Sequence, residues 1–539
     1  MKTLIVMPNY RLKDYYTFSL GIPYVSSYLK SKGHDISTLN ANHYPGSKLG
    51  EILKANKFDV VATGGMFTHA EIIEDFIKNV RENSPQSKIV IGGPLASGDP
   101  QFTCEKLRPD YLVLGEGEQT MDGLLKALMS GSDIRKATGI AFYDNDNFVM
   151  TSPTPLISPI DSIPFPDYEG FEYGYYLDNY KEDTCSFQNI GGALYDRRNG
   201  VVTTTRDCVA KCTFCFRLMG GTYRARSQEN VFKEIYYLRE KYKINYIAFC
   251  DEMFASDKER VKSFCKELKL LGMPWRCQLR VNIAEEELLK TMKDAGCSAI
   301  SYGFESASPR VLKSMKKGIT PEQIDRAVSA AVTAKLTIQA NFIFGDPAET
   351  IETAKETIKF SRKYKKFNLG FGSILPYPGT ELYYNLIRDN KIDDRWEFYL
   401  KPGHKFYNMT SLSDFEFDYL QMKIGVEGHY RYRYSCGKVS SIRKVGKNTF
   451  NLNVGCQHCG ELNSAKNFNP NVGMEIICKQ CFQRIVINSS DIRFGSIAKM
   501  LREWYYALIV PLFILSPMTY RLSRPARKLF SELQKALKL

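Results

Sequence analysis

Cys208, Cys212 and Cys215 stand in the spacing C-x3-C-x2-C within the stretch Thr203-Thr-Thr-Arg-Asp-Cys-Val-Ala-Lys-Cys-Thr-Phe-Cys-Phe216. Thiols this close on an irregular loop can converge on one metal centre, and thiolates are the usual protein ligands of iron–sulfur clusters. A cube of four irons held by three cysteines keeps one iron open for a further ligand. The alternative is three unrelated reduced cysteines. An apolar β-like run, Gly200-Val-Val-Thr-Thr-Thr205, delivers the triplet and a basic, Gly-containing loop follows it, which argues against that alternative.

A second thiol group, Cys456-Gln-His-Cys459 and Cys478-Lys-Gln-Cys481, consists of two C-x2-C knuckles separated by eighteen residues. That arrangement suits a tetrahedral structural zinc site of ribbon type. Four thiolates close the coordination sphere, so the expected contribution is to folding; an auxiliary iron–sulfur cluster is the competing reading. His458 sits inside the first knuckle and need not be a ligand.

The elements that position these groups follow from the apolar patterning. In the first 130 or so residues, short apolar runs such as Thr3–Met7, Val60–Thr63, Lys88–Ile91 and Tyr111–Leu114 alternate with amphipathic stretches. That alternation predicts a parallel sheet covered on both faces, with ligands beyond the carboxyl ends of its strands. Those ends carry Gly64-Gly65, Gly92-Gly93-Pro94 and Gly115-Glu116-Gly117-Glu118, where glycine lets backbone approach a bulky ligand. The prolines of Ser152–Pro155 and Ile163–Asp167 mark a linker. From Gly200 the β/α alternation resumes, and Asp251-Glu252, Glu305-Ser306, Gly345-Asp-Pro-Ala-Glu349 and Pro376-Tyr-Pro-Gly-Thr380 follow successive strand candidates. Such a pattern suits a full or partial β/α barrel with chemistry at the strand carboxyl ends.

The predicted fold class is α/β: a doubly wound parallel sheet (1–135), a linker (136–195), a partial, TIM-like β/α barrel (196–400), a helical or irregular connector (401–450), a zinc-ribbon-like module (451–488) and an apolar, basic helical tail (489–539). The chain has 539 residues, a formal charge of +14 and fourteen cysteines. It opens directly on a strand-like segment without a signal-peptide pattern, so reduced thiols and metal ligands are expected rather than disulfides, in a cytoplasmic protein. The charge alone leaves nucleic acid, an anionic membrane and an acidic substrate open as partners.

With these motifs in order, the sequence resembles radical S-adenosylmethionine (SAM) enzymes, through the triplet with Phe214 before its third cysteine and through the later strand-end motifs. Residues 1 to about 135 are similar to the cobalamin-binding domain that precedes the radical domain in one large subfamily, which includes class B methyltransferases. The resemblance implies a 4Fe–4S cluster on Cys208, Cys212 and Cys215, whose open iron chelates SAM. It implies one-electron cleavage to a 5′-deoxyadenosyl radical and cobalamin-dependent methyl transfer to an unactivated carbon. By the same analogy Phe214, Asp251, Glu252, Glu305, Ser306, Gly345 and Glu349 contact SAM. Gly64, Gly65, Gly92, Gly93, Gly115, Glu116 and Gly117 line the cobalamin. No side chain is assigned a catalytic role.

The loop Pro8–Gly21 departs from domains that supply a histidine to cobalt, because it contains none. His69 is the weak substitute. A second enzyme reading ends in cyclisation, rearrangement or oxidation, as in magnesium-protoporphyrin ester cyclases. A nucleic-acid-binding zinc-ribbon protein leaves the triplet unexplained, so no nucleic acid is expected. The implied partners are a small-molecule or lipid-like substrate and an electron donor such as flavodoxin or ferredoxin. The apolar run Trp504–Leu515 with its basic tail suits either peripheral contact of 497–539 with the inner membrane face, or a helix packed on the barrel or a dimer partner.

Overall fold

Lys2–Met7 (β1) is apolar without alternation from Leu4 to Met7, and those four residues are all buried, as a central parallel strand covered on both faces requires. The computed structural model describes residues 1–10, 16–179, 198–217, 220–367, 369–401, 406–468 and 474–487. The segment 489–539 lies outside them, as do the expectations of a helical tail and of membrane contact that rest on it. The described residues form two compact units. One comprises Met1–Glu182, Arg198–Ile244 and Leu375–Tyr407; the other comprises Asn245–Ile374 and the chain from Asn408 on.

In the first unit β1 is joined by Asp35–Asn40 (β2), Val60–Gly64 (β3), Lys88–Gly92 (β4), Tyr111–Val113 (β5), Ile140–Asp144 (β6) and Asn147–Met150 (β7) in the order β2-β1-β3-β4-β5-β6-β7. The first five strands pair in parallel, and β6 and β7 add antiparallel at the edge. This is a doubly wound order whose switch point lies between β1 and β3. Strands β6 and β7 fall inside the stretch expected as a linker. The run Ile140–Met150 alternates well enough to make a hairpin, and Asn145 supplies the left-handed turn residue at φ +54°.

The same unit contains Asn199–Val202 (β8) and a short antiparallel pair, Thr205–Arg206 (β9) with Arg224–Ala225 (β10), which brackets the cysteine triplet. The helix Gln228–Tyr242 follows, capped by the Ser227 side chain. Its fully buried Glu234 pairs with Arg226 at 2.5 Å and accepts a hydrogen bond from Tyr168 at 2.6 Å, which fixes the loop's exit.

In the second unit Tyr246–Phe249 (β11), Trp275–Gln278 (β12), Cys297–Glu305 (β13), Thr337–Phe344 (β14) and Leu369–Ser373 (β15) pair in parallel in sequence order, a partial TIM-like sheet. Helices alternate with the strands, and two of them begin on reciprocal capping boxes, Thr320 with Gln323 and Thr350 with Thr353. A 22-residue helix, Asp414–Ser435, then leads into Lys438–Gly446 (β16), Thr449–Gly455 (β17), Leu462–Phe468 (β18), Met474–Ile477 (β19) and Arg484–Ile487 (β20). The small sheet therefore starts at 438, inside the stretch expected as connector. Among the described residues no helix is long and apolar enough to cross a membrane.

Candidate cofactor loop and strand-end site

Asp207 holds the cysteine loop shut from both ends. Its Oδ1 accepts from the backbone N–H of Cys208 at 3.2 Å, and its Oδ2 accepts from Gly221 N at 2.7 Å and Thr222 N at 3.1 Å. Asp207 itself has φ +67°, a left-handed conformation that aspartate tolerates better than most residues. Within the loop, Cys215 N donates to Cys212 O at 3.3 Å and Ala210 N to Cys208 Sγ at 3.5 Å. Cys212 is buried, Cys208 is half-buried and Cys215 is exposed, with Phe214 half-buried between Cys212 and Cys215.

The strands that bracket this loop are tied to the loop after β5. Arg206 and Arg224, paired across β9 and β10, both reach Glu116. Arg206 Nη1 lies 2.7 Å from Glu116 Oε1 and its Nη2 lies 2.5 Å from Glu118 Oε1. Arg224 contacts both carboxylate oxygens of Glu116, at 2.9 and 3.0 Å, and Ile157 N donates to Glu116 Oε2 at 2.9 Å. Burial alone would push the Glu116 carboxyl up, but hydrogen bonds from Arg224 and charge from Arg206 hold it below its ordinary value. Burial would likewise lower Arg206, yet Glu118 and Glu116 raise it.

Leu375–Tyr407 completes this unit. Gly379, at φ +91°, lies so close to Phe216 that any side chain there would collide with the ring. A Cβ on Gly98 would sit 2.7 Å from Pro378 O. The Tyr377 ring packs tilted against Phe67 at 4.9 Å between centroids, while Tyr383 donates to Asp99 at 2.7 Å and Arg395 also pairs with Asp99. The motif Pro376–Thr380 thus packs against the residue that follows the cysteine triplet.

The glycines read as cobalamin-lining lie at the carboxyl edge of the first sheet. Gly64 ends β3 opposite Gly92 at the end of β4; a Cβ on Gly64 would stand 3.1 Å from Gly92 O and one on Gly93 3.1 Å from Gly65 O, so part of the role of these two is close strand packing. Gly117 admits Val25, whereas Gly115 (φ +69°) leaves open space where a side chain would stand. His69 stacks on Tyr10 at 4.1 Å and its Nδ1 accepts from Met66 N at 3.3 Å. Burial lowers its pKa to about 4, so the ring is neutral near pH 7 while its Nδ1 receives the Met66 N–H.

In the second unit Asp251 is buried and Glu252 exposed just beyond β11. Glu305, at φ +62°, ends β13 after a bulge and pairs with Lys317 at 2.7 Å. Ser306 is fully buried; its hydroxyl bonds Thr357 Oγ1 at 3.0 Å and accepts from Ser308 N at 3.1 Å. Gly345 follows β14 at φ +100°, against Phe417. Glu349 is buried and accepts from Thr353 at 2.6 Å; desolvation raises its pKa to about 7 despite that bond.

Sequence reasoning missed Gln339 and Asn341. They alternate along one face of β14, in register with Ser301 and Gly303 on β13 and, for Asn341, with Gly370 on β15. Gln339 Oε1 and Asn341 Nδ2 are buried without a hydrogen-bond partner in the protein. An unmet donor and acceptor on a face of small residues is an arrangement that a polar ligand would complete. The signal was available as the period-2 polar positions inside an apolar strand.

The Cys456, Cys459, Cys478 and Cys481 thiols converge, all four sulfurs lying within 4.8 Å of one another, so this group could hold a metal ion.

Comparison with known proteins agrees with this geometry. Residues 202–361 match the radical SAM superfamily model and residues 14–125 match the B12 binding domain. The chain is 33% identical over 407 residues to an uncharacterized methyltransferase of Pyrococcus horikoshii, covering 73% of this chain and 84% of that one. It is 26% identical to the cytidylyl-2-hydroxyethylphosphonate methyltransferase of Streptomyces wedmorensis, covering 73% and 81%. It is 27% identical to an anaerobic magnesium-protoporphyrin IX monomethyl ester cyclase of Cereibacter sphaeroides, covering 68% of this chain and 60% of the cyclase. The fold matches the cobalamin-dependent SAM radical enzyme OxsB, solved with aqua-cobalamin and SAM bound, at a TM-score of 0.62 and 17% identity, over 80% of this chain and 70% of that one.

Proposed function

The chain belongs to the radical SAM superfamily and carries a B12 binding domain, and from that premise we propose that it is a cobalamin-dependent methyltransferase acting on an unactivated carbon of a small-molecule substrate. The residues present fit the groups this requires. Three thiols on one clamped loop suit a 4Fe–4S cluster with an open iron. The unmet polar atoms of Gln339 and Asn341 suit the polar groups of SAM, and the open backbone at Gly115 suits a bulky cobalamin. When bound, these groups supply one-electron cleavage of SAM and a transferable methyl group.

The protein's own contribution is orientation. Asp207 fixes the start and end of the cysteine loop. Pro376–Thr380 packs against Phe216, with Gly379 allowing the contact. On this reading Phe214 lies beside adenine, Asp251 and Glu252 serve the methionine amino group, and Glu305 serves the ribose or sulfonium. Ser306 and Thr357 brace the turn after Glu305.

One observation carries the methyl-transfer reading: Glu116, beside Gly115 in the cobalamin-type sheet, pairs with Arg206 and Arg224 on the strands that bracket the cysteine triplet. The ion pairs hold the two cofactor-bearing loops of this unit in one fixed relation. The cyclase resemblance supports a second reading, in which the radical step ends without methyl transfer. Product analysis separates the two. Methylation releases S-adenosylhomocysteine alongside 5′-deoxyadenosine, whereas cyclisation releases 5′-deoxyadenosine without it. The reaction needs a one-electron reductant of the flavodoxin or ferredoxin class. A lipid-like substrate is the finer proposal, and activity on vesicle-borne but not soluble acceptors tests it.

A further inference from the structure

The four C-terminal cysteines have no part in the reaction proposed above, and their surroundings are built to a repeated plan. Cys456 N donates to Glu461 O at 2.8 Å while Gly460 N donates to Cys456 O at 2.8 Å. Cys478 N donates to Gln483 O at 2.9 Å while Phe482 N donates to Cys478 O at 3.0 Å. Each turn closes on a left-handed residue, Gly460 at φ +81° and Phe482 at φ +60°. Two copies of one turn therefore aim two thiols each at a shared centre.

The sulfur spacing selects the occupant. Cys456 Sγ lies 3.6 Å from Cys481 Sγ, Cys459 Sγ lies 3.6 Å from Cys478 Sγ, and no pair of the four exceeds 4.8 Å. Four thiolates on one ion with bonds of about 2.3 Å stand about 3.8 Å apart along the edges of a tetrahedron. An auxiliary iron–sulfur cube needs each thiolate on a different iron, pointing outward from a different corner, with the cube itself between them. The sulfurs here are too close together for that. His458 N at 3.4 Å from Cys456 Sγ and Asn463 Nδ2 at 3.6 Å from Cys478 Sγ add donors that offset thiolate charge.

Both turns rest on the amino-terminal ends of the barrel strands. Thr337, the first residue of β14, donates from Oγ1 to Phe482 O at 2.8 Å, and Gln483 Nε2 donates to Leu336 O at 2.9 Å. The Lys293 ammonium lies over the Phe482 ring at 4.3 Å. Ahead of β15, Lys366 Nζ donates to His458 O and Gln457 Nε2 to Lys366 O, both at 3.4 Å, and His458 packs on Phe367 at 4.8 Å. The module's own core is small, with Leu452, Val454, Phe468 and Ile485 as its main apolar members. A core of that size needs a staple to hold its shape.

We propose that Cys456, Cys459, Cys478 and Cys481 bind one zinc ion, and that the zinc-shaped turns clamp the amino-terminal ends of β14 and β15, the pole of the sheet opposite Glu305 and Gly345. Zinc with four thiolates has no open position and no redox chemistry, so its role is mechanical.

Metal analysis of the full chain purified anaerobically is the first test. The expected result is about one zinc per chain, lost in Cys481→Ser with the triplet's iron retained, and retained in Cys208→Ala with that iron lost. Iron in place of zinc at these four cysteines would overturn the assignment. The wild-type zinc-to-iron ratio decides this even where Cys481→Ser does not fold. Hydrogen–deuterium exchange of the wild-type holoprotein, before and after zinc extraction with a chelator, tests the clamp. Faster exchange over 337–344 and 369–373, with β1 and β3 unchanged, is expected. Unchanged exchange in β14 and β15 would refute the clamp.

Discussion

Arg206 Nη1 and Glu116 Oε1 stand 2.7 Å apart in a buried setting, where side-chain exposure is 13% and 3%. The two residues are 90 positions apart in sequence, and the pair joins the strand entering the cysteine loop to the loop leaving β5. Its burial makes it costly to break from one side, since two guanidinium groups would lose their shared carboxylate.

Glu116→Ala is therefore expected to lower stability by about 3–5 kcal/mol and to reduce iron incorporation at the triplet. Thermal unfolding and iron content of the reconstituted protein check this. A variant with wild-type melting and full iron would mean that the pair does not organise the loop.

The same carboxylate predicts an acid limit. Its folded pKa lies below the ordinary value of 4.5, so its contribution is fully present above that value and is lost as pH falls through the folded pKa. Denaturation followed below pH 4.5 should show this loss in wild type and not in Glu116→Gln.

Glu349 carries the opposite sign. Its pKa rises from 4.5 to about 7, so the folded state favours the protonated form. That stability is present below 4.5 and is lost as pH rises through about 7, a change of about 3 kcal/mol. Glu349→Gln should remove this pH dependence and raise the melting temperature at pH 8. An unaltered profile would count against a buried, neutral Glu349.

The cysteine triplet, the strand-end acids and the glycine pairs were legible because each is a local pattern. The hairpin of β6 and β7 was hidden by the prolines that follow it, although Ile140–Met150 has the required alternation. Glu116 stands between two glycines, a setting that in sequence resembles a cobalamin lining. Local sequence could not reveal that arginines 90 and 108 positions later meet its carboxylate. Gln339 and Asn341 are masked in sequence by the apolar residues between and around them, and the relation of Asn341 to Gly370 depends on strand order.

Gly379→Ala should displace Phe216, since the new methyl group meets its ring and the backbone holds φ +91°. A loss of about 1–3 kcal/mol is expected, with lowered cluster occupancy. Iron content and the cluster's visible absorbance measure it; full occupancy would show that the contact leaves the loop unaffected.

Asn341→Leu removes a buried donor that has no protein partner. Stability of the ligand-free protein should stay level or rise, while SAM affinity falls by about tenfold, or 1.4 kcal/mol. Calorimetric titration with SAM gives the affinity. An unchanged dissociation constant would remove Asn341 from the SAM site.

The most direct measurement is SAM cleavage by the chain reconstituted anaerobically with iron, sulfide and cobalamin and supplied with a one-electron reductant. Wild type should yield 5′-deoxyadenosine, and Cys212→Ala should lose both the cluster absorbance and that product while retaining its fold. A Cys212→Ala protein that kept the cluster and still cleaved SAM would contradict the account.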